Sequence, residues 1–392
     1  MQYKLATSTW GNEEINAIRE VIKSDKFSMG LKVEEYEKKF ASYFNSKYAV
    51  MCSSGSTANL LMVAALFYSK NPKLVRGDEI IVPAISWSTT YFPLYQYGLK
   101  LKFVDVDIYT LNYKLDDLES AISSSTRAIM AVNLLGNSND FTKIKNIIGQ
   151  KDIVLIEDNC ESMGAKFNGK FCGTFGLMGT FSSFFSHHIA TMEGGMVLTN
   201  NEEFYHILLC LRAHGWTRNL PKNNHVTKKS DDWFEESFRF VLPGYNVRPL
   251  EMSGAIGIEQ LKKLPSFTES RQKNSVLFKK LFSNDSRFII QKELGQSSWF
   301  GFSLILNDKS LSRKKLIKLL TKNKIDTRPI VTGNFANNDV MKYFDYEIHK
   351  DLKNAEHIHE NGFFVGNSHE DLTKELLYLK DVLAKNFNNL ND

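Results

Sequence analysis

Short apolar runs rich in β-branched residues recur along the first part of the chain: Tyr48-Ala49-Val50-Met51, Glu79-Ile80-Ile81-Val82, Leu101 to Val104, Ala128 to Val132 and Ile153 to Ile156. Runs of this length and composition predict buried strands. Between them lie amphipathic stretches, Asn12 to Lys23, Val33 to Phe44, Thr57 to Tyr68 and Leu115 to Ser123, which predict helices. Strands alternating with helices imply an α/β architecture, with a mostly parallel central sheet covered on both faces. From about Leu250 the rhythm changes. Two helices, one through Leu261 and one through Phe278, precede a strand over Phe300 to Leu306 and another helix over Leu311 to Leu320. The economical division is a large cofactor-binding α/β domain over 1–250 and a small C-terminal α+β domain over 251–392. Repeats, low-complexity tracts and Pro/Gly-rich linkers are all missing, so the two parts are expected to pack closely.

Composition narrows the partners. The 392 residues, 43% of them hydrophobic, suffice for a large globular core, and a net charge of +5 without a dense Lys/Arg block suits an anionic small molecule better than nucleic acid. No apolar run reaches the roughly 20 residues that span a bilayer, and no basic-then-apolar segment opens the chain, so the expectation is a cytoplasmic protein without a membrane partner. Cys52, Cys160, Cys172 and Cys210 are widely spaced. They read as small buried residues of a reducing compartment, and no metal site is expected.

Three segments carry chemistry. Ser53-Ser54-Gly55-Ser56-Thr57-Ala58-Asn59 follows a strand and opens a helix, where free N–H groups and hydroxyls can hold a phosphate; a plain Ser/Thr helix cap reads the same way. Ile156-Glu157-Asp158-Asn159-Cys160-Glu161 puts acids at a strand end, where open α/β sheets bind ligands and a carboxylate can face a protonated ring nitrogen; a solvated strand end is the alternative. In Phe181-Ser182-Ser183-Phe184-Phe185-Ser186-His187-His188 two adjacent histidines enter a loop that ends in Glu193-Gly194-Gly195. Consecutive residues diverge, which speaks against a shared metal. Taken alone, the pair reads as structural.

Read together with Pro83-Ala84-Ile85-Ser86-Trp87-Ser88-Thr89-Thr90 and Phe103-Val104-Asp105-Val106-Asp107, these segments resemble the DegT/DnrJ/StrS family of sugar aminotransferases, in family order over almost the whole chain. The resemblance implies the aspartate aminotransferase fold, fold type I of the pyridoxal phosphate enzymes. In that family a serine five residues before the catalytic lysine binds cofactor phosphate, and the lysine stands seven residues before the Gly-Gly pair. Those positions are Ser182 and His187 here. A histidine cannot tether pyridoxal phosphate. The lysine-free branch with histidine at this place resembles nucleotide-sugar 3-dehydratases, with further similarity in Ser298-Trp299-Phe300-Gly301-Phe302, Thr327-Arg328 and Gly333-Asn334. Lysine-free iron–sulfur relatives need a cysteine cluster that this chain lacks.

What the resemblance implies is specific. The cofactor is pyridoxamine 5′-phosphate, alternating with pyridoxal 5′-phosphate and not covalently tethered. The substrate is a nucleotide-linked 4-keto-6-deoxy sugar, GDP-linked by preference, which loses its C-3 hydroxyl on the way to a 4-keto-3,6-dideoxy sugar for surface polysaccharide. L-Glutamate restores the amine. His187 is the expected acid–base group, suited to it by a pKa near neutrality. Gly55, Ser56 and Ser182 are expected at the phosphate, Trp87 on the ring face, Asp158 at the ring nitrogen and Glu161 beside the cofactor. Asn246, in Gly244-Tyr245-Asn246-Val247-Arg248, is expected to reach the phosphate across a homodimer interface, giving shared active sites. His188, Arg212, His214, Arg218 and Arg328 are candidates for substrate or glutamate, since imidazoles and guanidinium forks suit anions. By chemistry alone Trp87 also reads as packing, the arginines as solvated surface residues and His188 as structural. Two competing readings are a nucleotide-sugar 4-aminotransferase whose lysine has moved to Lys166 or Lys170, and an inactive transaminase-fold partner protein. Retention of Asp158, Ser182 and the phosphate segment opposes the second.

Overall fold

The computed structural model describes residues 1–307 and 311–386 and realises the alternating pattern. Nine strands precede residue 200: β1 Tyr48–Cys52, β2 Glu79–Pro83, β3 Lys100–Val104, β4 Thr126–Val132, β5 Val154–Asp158, the short pair β6 Lys166–Phe167 and β7 Lys170–Phe171, β8 Met178–Ser182 and β9 Gly195–Thr199. The later strands are β10 Phe288–Ile290, β11 Gly301–Leu306, β12 Thr327–Arg328, β13 Tyr346–Ile348 and β14 Gly362–Gly366. The large sheet runs β1-β9-β8-β5-β4-β2-β3-β13, and every pairing is parallel except the two made by β9. Helices cover both faces, so β2, β8 and β9 are buried at every position and read as continuous apolar runs rather than alternating ones. Helix Gly55–Phe67 is apolar nearly all round because it packs on β8 and β9 and also on the helix Glu202–Arg212.

The two helices expected after Leu250 are one. Helix Glu251–Phe282 runs for 32 residues with Pro265 inside it. A mid-helix proline costs about 3 kcal/mol through a lost hydrogen bond and a clash. That cost is outweighed by a buried stripe spanning the proline: Ile258, Leu261 and Leu264 before it, Phe267 and Phe278 after it, each of which gains on the order of 1.5–3 kcal/mol on burial. Its first half carries the helices Asn12–Ser24 and Leu31–Tyr43, and its second half enters the core of the small antiparallel sheet β10-β11-β14-β12 with Phe302, Leu316, Leu320, Leu376 and Leu379. The strand expected at Phe300 to Leu306 is β11, and the helix expected at Leu311 to Leu320 runs Arg313–Lys322. The division expected at residue 250 is crossed twice. β13 joins the large sheet beside β3, while Tyr3 bridges Ile325 and its hydroxyl donates to Gly366 O at 2.6 Å.

Arg212, a candidate for binding an anionic ligand, is instead a clamp inside the large domain. It is 3% exposed, ion-paired through Nη1 to Glu37, and donates to Met51 O at 2.7 Å. Glu37 in turn accepts the Met51 N–H at 2.7 Å, so the pair pins the helix Leu31–Tyr43 to β1. Removing one partner of a buried pair leaves a desolvated charge. Arg212→Met should therefore lower the unfolding free energy by about 3–5 kcal/mol in urea titrations of the apoprotein, whereas a ligand-binding role would leave that quantity nearly unchanged.

Candidate active site

The C-terminal ends of β5 and β8 and the start of helix Gly55–Phe67 converge on a cavity of about 960 Å³. Two adjacent acids at the end of β5 point to opposite sides, as alternation along a strand requires. Glu157 turns away from the cavity and accepts the N–H groups of Gly173 and Gly176 at 2.6 and 2.7 Å, together with that of Phe175. Asp158 faces the cavity. Its Oδ2 accepts from Asn59 Nδ2 at 2.8 Å and Thr90 Oγ1 at 2.7 Å, and its Oδ1 accepts the Cys160 N–H at 3.1 Å.

At the helix end, Ser54 caps the chain by accepting the Thr57 N–H at 3.1 Å. Gly55 follows at a place where a Cβ would lie 2.6 Å from Ser182 Cβ, so only glycine lets the backbone N–H groups and the Ser182 hydroxyl share one concave wall. Ser56 donates to Thr89 Oγ1 at 3.0 Å on the same wall. Trp87, just before the helix Ser88–Gln96, stays 57% exposed with its indole on the cavity, an aromatic face without a ring or cation partner among the described residues.

Between β8 and β9 the chain makes a loop closed by the pairing of Ser182 with Gly195. His187 sits on it, half-buried, with Nδ1 at 2.9 Å from Cys160 O. A carbonyl can only accept, so Nδ1 carries the proton and Nε2 keeps a free lone pair. The ring meets Phe300 edge-on at 5.1 Å and Phe184 at 6.0 Å. Burial pushes its pKa down to about 4; the Cys160 contact and Asp158 oppose the shift, and the positive charge of Arg271 adds to it. His187 is thus a neutral acceptor at physiological pH. His188 diverges: its Nε2 donates to Ser298 O at 3.2 Å, its Nδ1 is buried without a hydrogen-bond partner among the described residues, and burial holds its pKa well below the usual value. Glu161 lines the cavity and accepts the Leu135 N–H at 3.1 Å, and burial raises its pKa to about 7.

The cavity thus gathers Gly55, Ser56, Trp87, Asp158, Glu161, Ser182, His187 and Arg328, the last exposed on β12. It does not gather His188, Arg212, His214, Arg218 or Asn246. His188 packs behind the wall, and Arg212 is spent on Glu37. His214 adopts a left-handed backbone (φ +63°), and its ring and the Arg218 guanidinium both rest on Trp216. Asn246 is exposed and accepts from Arg248 Nε at 3.0 Å. Lys166 and Lys170 stand on the β6–β7 pair, with their ammonium groups over Phe171 and Phe175 rather than in the cavity. Several wall residues received no role from sequence reasoning: Gln2, Lys4, Asp326 and Phe300, and the motif residues Asn59 and Thr90 were not foreseen as the partners of Asp158. The last two had a signal, since each lies one helical turn after a motif residue, Gly55 and Ser86. Gln2 and Lys4 had none.

A model of the DegT/DnrJ/EryC1/StrS aminotransferase family matches residues 8–379. The chain belongs to that family. It is 63% identical over 388 residues, 98% of this chain and 99% of the relative, to GDP-4-keto-6-deoxy-D-mannose 3-dehydratase of Yersinia pseudotuberculosis. Two solved structures of GDP-4-keto-6-deoxymannose-3-dehydratase superpose with TM-scores of 0.96 at 62% identity, over 97% of this chain and 100% of theirs. One is a histidine-to-asparagine variant with bound GDP-perosamine, and the other holds a trapped PLP-glutamate geminal diamine. The architecture described above is that of the aminotransferase-fold enzymes of this family.

Because both imidazoles are held neutral in the folded protein, the unfolded chain takes up their protons first as pH falls. Their contribution is intact above the ordinary histidine value of 6.5 and is lost as pH drops toward about 4. The urea midpoint should fall across that window, and His188→Asn should flatten the decline. Equal slopes for the two proteins would contradict the assignment.

Proposed function

We propose that this chain is a 3-dehydratase that uses untethered pyridoxamine 5′-phosphate to convert GDP-4-keto-6-deoxy-D-mannose into the 4-keto-3,6-dideoxy sugar. The observation that carries the proposal is His187. At the place of the family's lysine stands an imidazole with Nε2 free, on a cavity wall, able to move protons and unable to hold an aldehyde covalently. The relatives support the substrate: a 3-dehydratase of that name matches from end to end, and solved dehydratases carry PLP-glutamate and a GDP sugar.

The residues present fit a pyridoxal-type cofactor. A glycine-relieved helix start with Ser56 and Ser182 would take its phosphate, and the open indole of Trp87 would take its ring face. The hydrogen-bonded carboxylate of Asp158 would face the ring nitrogen, and Glu161 would lie beside it. When bound, the cofactor supplies an amine for the C-4 ketone and a ring that accepts electrons, so that the C-3 hydroxyl can leave. With the cofactor bound, His187 Nε2 would be the group placed to take up a proton beside that amine and to return one to the departing hydroxyl. Its hydrogen bond to Cys160 O fixes the tautomer, and the Phe300 and Phe184 rings flank it. Arg328 offers the cavity a guanidinium for an anionic group of the sugar nucleotide or of L-glutamate, the donor that restores the amine.

The active form is a homodimer in which Asn246 of one chain reaches the phosphate end of the other. Asn246 is exposed, and the segment before it carries Trp233, Phe234 and Phe238, each more than 70% exposed, the apolar display of a surface meant for a partner. His214 and Arg218, outside their own cavity, lie on the same stretch and serve the substrate from there. The work is cytoplasmic: all four cysteines are free, and among the described residues no helix is long and apolar enough to cross a membrane. The dideoxy sugar goes to surface polysaccharide.

Incubation with GDP-4-keto-6-deoxy-D-mannose, pyridoxal phosphate and L-glutamate should give, by mass spectrometry, a sugar nucleotide one oxygen lighter with no nitrogen retained on the sugar. A 4-amino sugar as sole product would sink the reading. His187→Asn should leave cofactor binding within about twofold and cut turnover roughly 10²–10⁴-fold, the usual worth of a side-chain proton transfer.

A further inference from the structure

Behind the histidine loop lies a charge that the reaction just described does not use. Arg271, on the helix Glu251–Phe282, is 4% exposed, and among the described residues no carboxylate pairs with it. Its Nη1 donates to three main-chain oxygens, Asn367 O at 2.8 Å, Phe300 O at 3.1 Å and Trp299 O at 3.4 Å, while its Nε has no hydrogen-bond partner among the described residues. Carbonyl dipoles alone compensate a buried cation poorly. Such a group persists where its position matters.

Two of those carbonyls, Trp299 O and Phe300 O, belong to a strained turn. Trp299 has φ +46°, a left-handed conformation that a bulky side chain rarely adopts, and it is completely buried. Asn367 Nδ2 donates to the same Trp299 O at 2.8 Å. From the large-sheet side, Gly136 O accepts Ser298 N at 2.9 Å and Leu135 O accepts Phe300 N at 3.1 Å, and a Cβ on Gly136 would lie 2.5 Å from Trp299 N. What the turn presents toward the cavity is the seat of both imidazoles. Ser298 O receives His188 Nε2, and the Phe300 ring stands 5.1 Å from the His187 ring and 5.7 Å from that of His188.

We propose that Arg271 is a positioning residue for His187: it clamps the Ser298–Trp299–Phe300 turn against which the imidazole rests. From behind that turn its positive charge adds to burial in disfavouring a proton on the ring. The proposal rests on the reading of His187 as the base. The charged and titratable groups around the ring and its cavity are Asp158, Cys160 and Glu161 after β5, His188 and Glu193 on its own loop, Lys4, Asp326 and Arg328 on the cavity wall, and Arg271 behind the loop. Asp158 favours a proton on His187, while Arg271 disfavours it, in line with burial.

The test is a histidine-selective NMR titration of the holoenzyme, for wild type, Arg271→Lys and Arg271→Gln, alongside kcat and KM as functions of pH. Arg271→Gln should move the His187 titration up by on the order of one pH unit, the usual effect of removing a nearby like charge, and bring an acid limb into kcat/KM. Arg271→Lys keeps the charge but loses the fork: the titration should stay near wild type while kcat falls. Identical His187 titrations in all three proteins would overturn the electrostatic role. Should Arg271→Gln not fold, Phe300→Leu isolates the seat; kcat should drop about tenfold, on the order of 1.4 kcal/mol, with KM little changed, and an unchanged kcat would overturn the positioning role. The NMR signal reports the Arg271 effect whatever reaction is catalysed, so its failure is separable from failure of the dehydratase reading.

Discussion

A carboxylate cannot be left alone in a protein interior, and the end of β5 buries two of them side by side. Each must find donors on its own face of the sheet, and those donors set much of what surrounds the site. Glu157 gathers three N–H groups from 173–176, which fixes the approach of the chain to β8. Asp158 draws in Asn59 and Thr90 from two different helices, whose first turns carry the remaining polar wall of the cavity. Asn59 is itself held by the Thr180 hydroxyl at 2.6 Å on the neighbouring β8. The site is therefore framed by hydrogen-bond accounting at one strand end, with the hydrophobic core supplying only the platform.

The parts of the fold that sequence reveals are those governed by local period. The strands from Tyr48 to Asp158 and the helices between them are legible because burial on both faces demands unbroken β-branched runs and helical spacing between them. The break expected within Glu251–Phe282 shows the opposite case. There a proline and a change of packing partner imitate a helix end, and only the continuity of the buried stripe, a tertiary fact, reveals one element. β13 is invisible for the same reason, since three exposed residues become a strand only because β3 offers them an edge.

At the site, legibility follows the distance between sequence neighbours. Ser54 to Asn59 and Glu157 to Glu161 announce themselves because each is a compact motif whose chemistry is local. Arg212 misleads because its partner Glu37 lies 175 positions away, and a guanidinium in a polar-looking stretch gives no sign that it is buried. Lys4 and Gln2 reach the wall because Tyr3 is pinned to Ile325, a pairing across almost the full chain. His187 lies between these cases. Its place in the loop is readable from spacing, whereas its tautomer is set by Cys160 and its neutral state by burial beside Phe300 and by Arg271, none of them near it in sequence.

The loop that carries His187 begins at Ser182 and ends at Gly195, and those two residues face each other across the antiparallel pairing of β8 and β9. Closing both ends in one ladder rung means that the path between them is set by the sheet and by glycine at 194 and 195, where any Cβ would meet Ser183, Thr191 or Ser54. The side chain at 187 contributes little to that closure. Descendants of such a scaffold can exchange one functional group at this point while inheriting the sheet, the phosphate cap and the acid pair intact. Lineages on it can then part in chemistry long before they part in shape.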